Sequence, residues 1–396
     1  MSTSLHQPLD DLRRVVTEAV EPRQIASWLR GHREPAIPSV PLRPEVVGKW
    51  LIDEWTLQVE SGMNRLRLPT SDFRRRQRQE LTDAIDMFTE RGWSSEPRTY
   101  HRDPPPLIDP ELRTVGVGPF AFEHLSFDSG YAPHDDEPGH ERWLGYERNL
   151  TAHAWVLRHE GPPRPWMVCV NGYRTGTPLI DLPAFRVDQL HGRLGVNVAV
   201  VVLPLHGPRR EGRMSGDRTL FAGALNSVHA ITQAVWDVRR VLSWIRMTQA
   251  APAVGISGIS LGGLVASLVA SLDSELSCVI GGVPESDLVR GMRRHVEPLL
   301  PPFYEVWGLS WTPLERVSRV ASPLSMAPLV PRDRRFIYAG LADRWVRPAN
   351  VYTLWEHWER CPILWYPGSH LSFPFESEVT DFVDRAIEST VVADAA

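Results

Sequence analysis

The pentapeptide Gly258-Ile259-Ser260-Leu261-Gly262 constrains this chain more than any other stretch, because of what lies on either side of it. Residues 254–256 are a short apolar run, and residues 263–272 are a small-residue run compatible with a helix. Between a strand and a helix, G-x-S-x-G is a sharp turn that raises the serine hydroxyl above the sheet. Side chains at 258 and 262 would crowd such a turn, whereas glycine lets the backbone bend. Ser260 is therefore the leading nucleophile candidate.

The flanking pattern supplies the rest of a sheet. Between Val228 and Ile245, apolar residues at 228, 231, 235, 238, 242 and 245 alternate steps of three and four, a helix that leads into the strand before Ser260. Upstream, residues 166–170 and 196–203 read as strands with a helix over 183–194 between them. The second strand is nearly continuous in valine, as a strand covered on both faces should be. Downstream, 277–283, 335–339 and 363–366 read as strands and 377–387 as a closing helix. This alternation predicts an α/β fold with a doubly wound, mainly parallel sheet. Two further strands, at 120–127 and 150–157, precede it. The polar loop between them holds His134, Asp135, Asp136, Glu137, His140 and Glu141, and Pro138-Gly139 in its middle favours a solvated loop over a metal cluster.

Residues 1–110 read differently, as a helical N-terminal extension on a catalytic domain of residues 111–396. Residues 10–29 are polar with scattered apolar positions, and Pro35, Pro38, Pro41 and Pro44 follow. Pro44 suits the first turn of a helix whose Val47, Trp50, Leu51 and Trp55 share one face. A second helix starts near Ser71, with Leu81, Ile85 and Phe88 at helical spacing and Gly92 to close it. Arg74, Arg75, Arg76 and Arg78 lie on it as a solvated face, and the proline-rich tract 97–110 is an extended connector. A helical insertion, 284–333, carries an aromatic run that includes Trp307. It either lines the pocket as a cap or packs on the side of the domain.

A net charge of −5 over 396 residues offers no extended nucleic-acid surface. Cys169, Cys278 and Cys361 are far apart, which suggests neither a disulfide framework nor a zinc site; the first two fall in strand cores. No dinucleotide glycine pattern or P-loop accompanies the strands, so no cofactor is expected. The start lacks the order of a secretory signal, and no apolar run is long enough to span a membrane. A soluble, cytoplasmic protein is the expectation.

A serine hydroxyl needs a base to become a nucleophile. Asp343 and His370 each follow a predicted strand, at the edge where ligands bind in a parallel sheet. His370 is the candidate base and Asp343 the acid that orients it, with Glu285 as a competing acid after the strand ending at Val283. The oxyanion donors are the Leu261 N–H and one from Gly172 or Tyr173. Asn171 either shapes that loop, as a candidate for substrate contact, or is a turn residue. His206, Arg209 and Trp307 are further candidates for substrate contact. Arg209, Arg210 and Arg213, with Ser215-Gly216-Asp217, form either an anion site or a salt-bridged loop.

The elbow Gly258 to Gly263, Asp343 with Val346 and Pro348 behind it, and Gly368-Ser369-His370 together resemble the α/β-hydrolase superfamily over residues 111–390. The resemblance implies an oxyanion loop at Val170-Asn171-Gly172-Tyr173, where many members have His-Gly instead of Asn171-Gly172. Pro204-Leu205-His206-Gly207-Pro208-Arg209-Arg210 is similar to the dienelactone hydrolase, acetyl xylan esterase and prolyl peptidase side, without a β-propeller. The expected activity is hydrolysis of a small-molecule carboxylic ester through a Ser-His-Asp triad. Thioester or amide hydrolysis and acyl transfer use the same residues. A noncatalytic interaction scaffold is the reading from a different class.

Overall fold

Period-two patterning builds one sheet of nine strands among the described residues: β1 (Glu111–Val117), β2 (Phe120–Asp128), β3 (Thr151–Leu157), β4 (Trp166–Val170), β5 (Asn197–Val201), β6 (Val254–Ile259), β7 (Cys278–Gly282), β8 (Arg335–Gly340) and β9 (Ile363–Tyr366). The computed structural model describes residues 36–296 and 311–396, apart from positions 42, 66–69, 119 and 221. The strand order is β1-β2-β3-β5-β4-β6-β7-β8-β9. From β5 to β9 every neighbour is parallel, while β1, β2 and β3 join the sheet through antiparallel pairings. The patterning of β4 explains its central place. Trp166, Val168 and Val170 enter the core on one face and Met167 and Cys169 the core on the other, as a strand covered by helices on both sides requires. The sequence did not announce β1. Its residues are only exposed or half-exposed, so an edge strand of this kind has no apolar face to advertise.

Four helices matter to the site: α1 (Pro44–Arg65), α2 (Ser71–Glu90), α3 (Ala224–Thr248) and α4 (Leu261–Val269). Ile231, Val235, Val238, Leu242 and Ile245 of α3 are buried with α4 against the sheet, each contributing roughly 1.5–3 kcal/mol. Leu81, Ala84 and Phe88 of α2 pack against Leu225 and Val228 of α3 and against Val289, Leu314 and Val317 of the insertion. Helices Leu288–Val296 and Trp311–Ser318 of the insertion thus share a core cluster with α2 and the start of α3. Residues 297–310, with Trp307, and residues 10–29 lie outside the described residues.

α1 departs from its sequence reading. Trp50 is buried, but Leu51 is 46% exposed and Trp55 67% exposed. The inward face instead carries Val46, Trp50, Asp53, Glu54, Leu57 and Glu60. That face meets polar loops as well as apolar side chains, so apolar spacing alone misassigns it. The loop at 131–142 is likewise not simply solvated: Glu137 is buried and accepts hydrogen bonds from Tyr100 Oη (2.8 Å) and from the His134 N–H (2.9 Å). The three cysteines are buried thiols, and no helix among the described residues is long and apolar enough to cross a membrane.

Candidate active site

Ser260 stands between β6 and α4 with φ 56° and ψ −115°. A positive φ is strained for a residue with a side chain, and such strain persists only where the surroundings over-determine it. Here the Ser260 N–H donates to the Gly282 carbonyl (2.8 Å), while its own carbonyl accepts from Glu285 N (3.1 Å) and Leu264 N (3.2 Å). The glycines follow from close backbone approach. A Cβ at 258 would overlap the Gly262 carbonyl, and one at 262 would overlap the carbonyls of Val170 and Asn171.

Asp343 and His370 come from the loops after β8 and β9. His370 Nδ1 lies 2.7 Å from Asp343 Oδ2, and both side chains are buried. Asp343 Oδ1 accepts a second bond, from the Val346 N–H (2.7 Å), which fixes the carboxylate plane. Burial opposes a charged imidazole, but the Asp343 charge and hydrogen bond, with Asp53 and Glu285 behind them, hold His370 above the ordinary histidine value. Glu285 does not share this geometry. Its Oε1 accepts from Ser286 N (2.9 Å), Asp287 N (3.0 Å) and Asn350 Nδ2 (3.3 Å), and burial pushes its pKa up to about 7.

The segment after β4 closes in from the other side. A Cβ on Gly172 would lie 3.4 Å from the Ile259 carbonyl oxygen and 3.6 Å from Ser260 Cβ, so the backbone at 172 abuts the serine turn. Asn171 is bonded within this loop. Its buried amide donates to the Gly172 carbonyl (3.0 Å) and to Thr175 Oγ1 (2.9 Å), and its Oδ1 accepts from Leu203 N (2.8 Å). Asn171 thus ties the end of β4 to the segment beyond β5.

Two other candidate contacts, His206 and Arg209, are buried and bonded to protein groups. His206 is fully buried, its Nδ1 is 2.8 Å from the Pro204 carbonyl, and burial lowers its pKa to about 4. It packs beneath Tyr173 as a turn residue. Arg209 is buried in an ion pair with Asp237 (2.9 Å) and also donates to the carbonyls of Asn149 (2.8 Å) and Val202 (3.2 Å), so it holds the fold together. Asp217 pairs with Arg174 (2.7 Å) and accepts from the N–H groups of Arg213 and Met214 (both 3.1 Å), which makes that stretch a salt-bridged loop.

Sequence reasoning missed the residues that reach this site from α1. Asp53 accepts from the backbone of His370 and of Arg344, Glu54 pairs with Arg344 (2.8 Å), and Thr56 Oγ1 accepts from Trp345 Nε1 (3.0 Å). Glu60 binds Arg174 (2.6 Å) and accepts from Tyr173 Oη (3.1 Å). The signal was available: Asp53 and Glu60 fall on one helical face with Val46, Trp50 and Leu57, an unusual place for carboxylates. No group of three or more His, Cys, Asp or Glu among the described residues is placed to hold a metal ion.

No family model matches this chain. Two relatives from Mycobacterium tuberculosis, Uncharacterized protein MT2702 of strain CDC 1551 / Oshkosh and Uncharacterized protein Rv2627c of strain H37Rv, are each 43% identical over 338 residues, covering 84% of this chain and 80% of the relative. Among solved structures, an acetyl xylan esterase from Paenibacillus sp. R4 is similar at 15% identity and a TM-score of 0.48, over 75% of this chain and 99% of that one. Its strand order and strand-to-helix serine turn are those of an α/β-hydrolase fold, and the chain belongs to the same family as the two mycobacterial proteins.

Proposed function

We propose that the protein is a serine hydrolase that cleaves carboxylic esters through an acyl-enzyme intermediate. The observation that carries this reading is the buried 2.7 Å contact between His370 Nδ1 and Asp343 Oδ2, on the sheet edge that also carries the strained Ser260. With Nδ1 committed to Asp343, Nε2 is the nitrogen that accepts a proton. Ser260 Oγ attacks the carbonyl carbon and its proton passes to His370. The tetrahedral intermediate then collapses, and His370 returns that proton to the departing alcohol. Water, activated by the same imidazole, releases the acid. Leu261 N–H and a donor from Gly172 or Tyr173 meet the developing oxyanion, each worth about 2.7–4 kcal/mol in such chemistry. An ester suits an activated serine better than an amide does, because an alcohol leaves more readily than an amine; a thioester shares that advantage and is separated by assay.

A panel of p-nitrophenyl esters of increasing chain length, with matched thioesters and amides, tests the reading against Ser260→Ala. A fluorophosphonate probe should label Ser260 in the wild type. Ester turnover should fall in the variant on the order of 10⁴-fold or more. Ester hydrolysis that survives Ser260→Ala, or folded protein whose Ser260 resists the probe, would overturn it.

A further inference from the structure

The carboxylate of Asp53 is buried 317 residues away in sequence from the histidine it touches. Oδ2 accepts from His370 N (2.7 Å) and Arg344 N (3.1 Å), and Oδ1 accepts from Leu371 N (3.3 Å). Arg344 directly follows Asp343. One anion therefore bonds the backbone of the histidine and the backbone beside the acid, across the gap that the Asp343–His370 bond spans. A buried charge is tolerated only when such donors compensate it, so these three N–H groups cannot drift without stranding the carboxylate. The rest of α1 braces the same arrangement. Glu54 holds the Arg344 side chain, whose guanidinium lies 5.1 Å from the Trp50 ring centre. Lys49 pairs with Glu376 (2.5 Å) beside the histidine loop, and Glu60 binds Tyr173 and Arg174 in the loop after β4.

We infer that Asp53 is a positioning residue of the active site, whose carboxylate clamps the histidine and acid loops together, so that α1 is a working part of the catalytic unit. The inference rests on the serine hydrolase reading for its consequence in turnover, but its structural content stands on the two loops alone.

The groups facing His370 define what Asp53 changes. Asp343 comes from the acid loop, Glu285 from the segment after β7, and Asp53 from α1, with the Trp345 ring stacked at 6.2 Å. The cations nearby, Arg344 and Lys49, are held by Glu54 and Glu376. In Asp53→Asn the amide oxygen can keep the bonds to His370 and Arg344, but the amide nitrogen then faces the Leu371 N–H and the charge is gone. With p-nitrophenyl acetate, kcat should fall roughly 10- to 100-fold with KM little changed. The acidic limb of kcat/KM should move to lower pH. Asp53→Glu, which restores the charge, should return the limb toward wild type. Ile387→Ala, which opens the core packing of the closing helix (Ser377–Ile387) and leaves α1 and the carboxylate alone, should lower Tm yet leave kcat and the limb unmoved.

A direct measurement separates this inference from the hydrolase reading. The His370 imidazole, followed by NMR in histidine-labelled full-length protein, should titrate at lower pH in Asp53→Asn than in wild type, whether or not any ester is turned over. An unchanged His370 titration overturns the inference, as does a loss of kcat in Ile387→Ala equal to that in Asp53→Asn. Loss of probe labelling at Ser260 overturns only the hydrolase reading. If Asp53 variants fail to fold, amide exchange in the wild type decides: His370 and Leu371 N–H groups should be protected, and exchange at the rate of open chain overturns the clamp.

Discussion

Asp343→Asn separates an orienting acid from a merely polar neighbour. Asp343 Oδ1 accepts from Val346 N at 2.7 Å and Oδ2 meets His370 Nδ1 at 2.7 Å. In the asparagine variant the carbonyl oxygen keeps the Val346 bond, which turns the NH₂ group toward Nδ1. An imidazole facing an amide donor must present a lone pair there and carry its proton on Nε2. That tautomer cannot take the Ser260 proton. The expected loss is about 10⁴-fold in kcat, or roughly 5 kcal/mol of barrier, with KM little altered because no substrate contact is removed. Stability should change little, since the side chain keeps its volume and both bonds. Steady-state kinetics on p-nitrophenyl esters, with thermal melts alongside, reads both quantities. Glu285→Gln is the companion variant, and its bonds to Ser286 and Asp287 give it no part in the tautomer. Turnover in Asp343→Asn within tenfold of wild type, with Glu285→Gln inactive, would refute the reasoning and move the acid to 285.

Two further outcomes follow from the same geometry. Because His370 is held above the 6.5 of an unperturbed imidazole and must be neutral to act as base, kcat/KM should rise with pH to a plateau, with its midpoint above 6.5; a midpoint below that value would contradict the assignment. Asp237→Ala leaves Arg209 buried without its counter-charge and should cost about 3–5 kcal/mol in urea unfolding, while kinetic constants measured well below the transition stay near wild type. A loss under 1 kcal/mol would show that the pair contributes little.

The chain announced its centre plainly. The glycines at 258 and 262, the apolar run before Ser260 and the three-four spacing of α3 are local consequences of close backbone contact and two-sided burial, and such patterns are written over a few neighbouring residues. The positions of Asp343 and His370 just past strands were legible for the same reason. The purposes of individual polar residues were not. Arg209 looks like a substrate contact until Asp237 is seen to neutralise it, Asn171 like a turn residue until Leu203 arrives from the next strand's end, and Leu51 and Trp55 like a buried face until the carboxylates of α1 are found on the inside. Apolar periodicity reports which side of a segment leaves water. It carries no record of partners hundreds of residues away, and a buried charge is explained only by them. Local geometry thus set where Ser260 stands, while tertiary structure alone decided which charges surround His370 and what keeps them there.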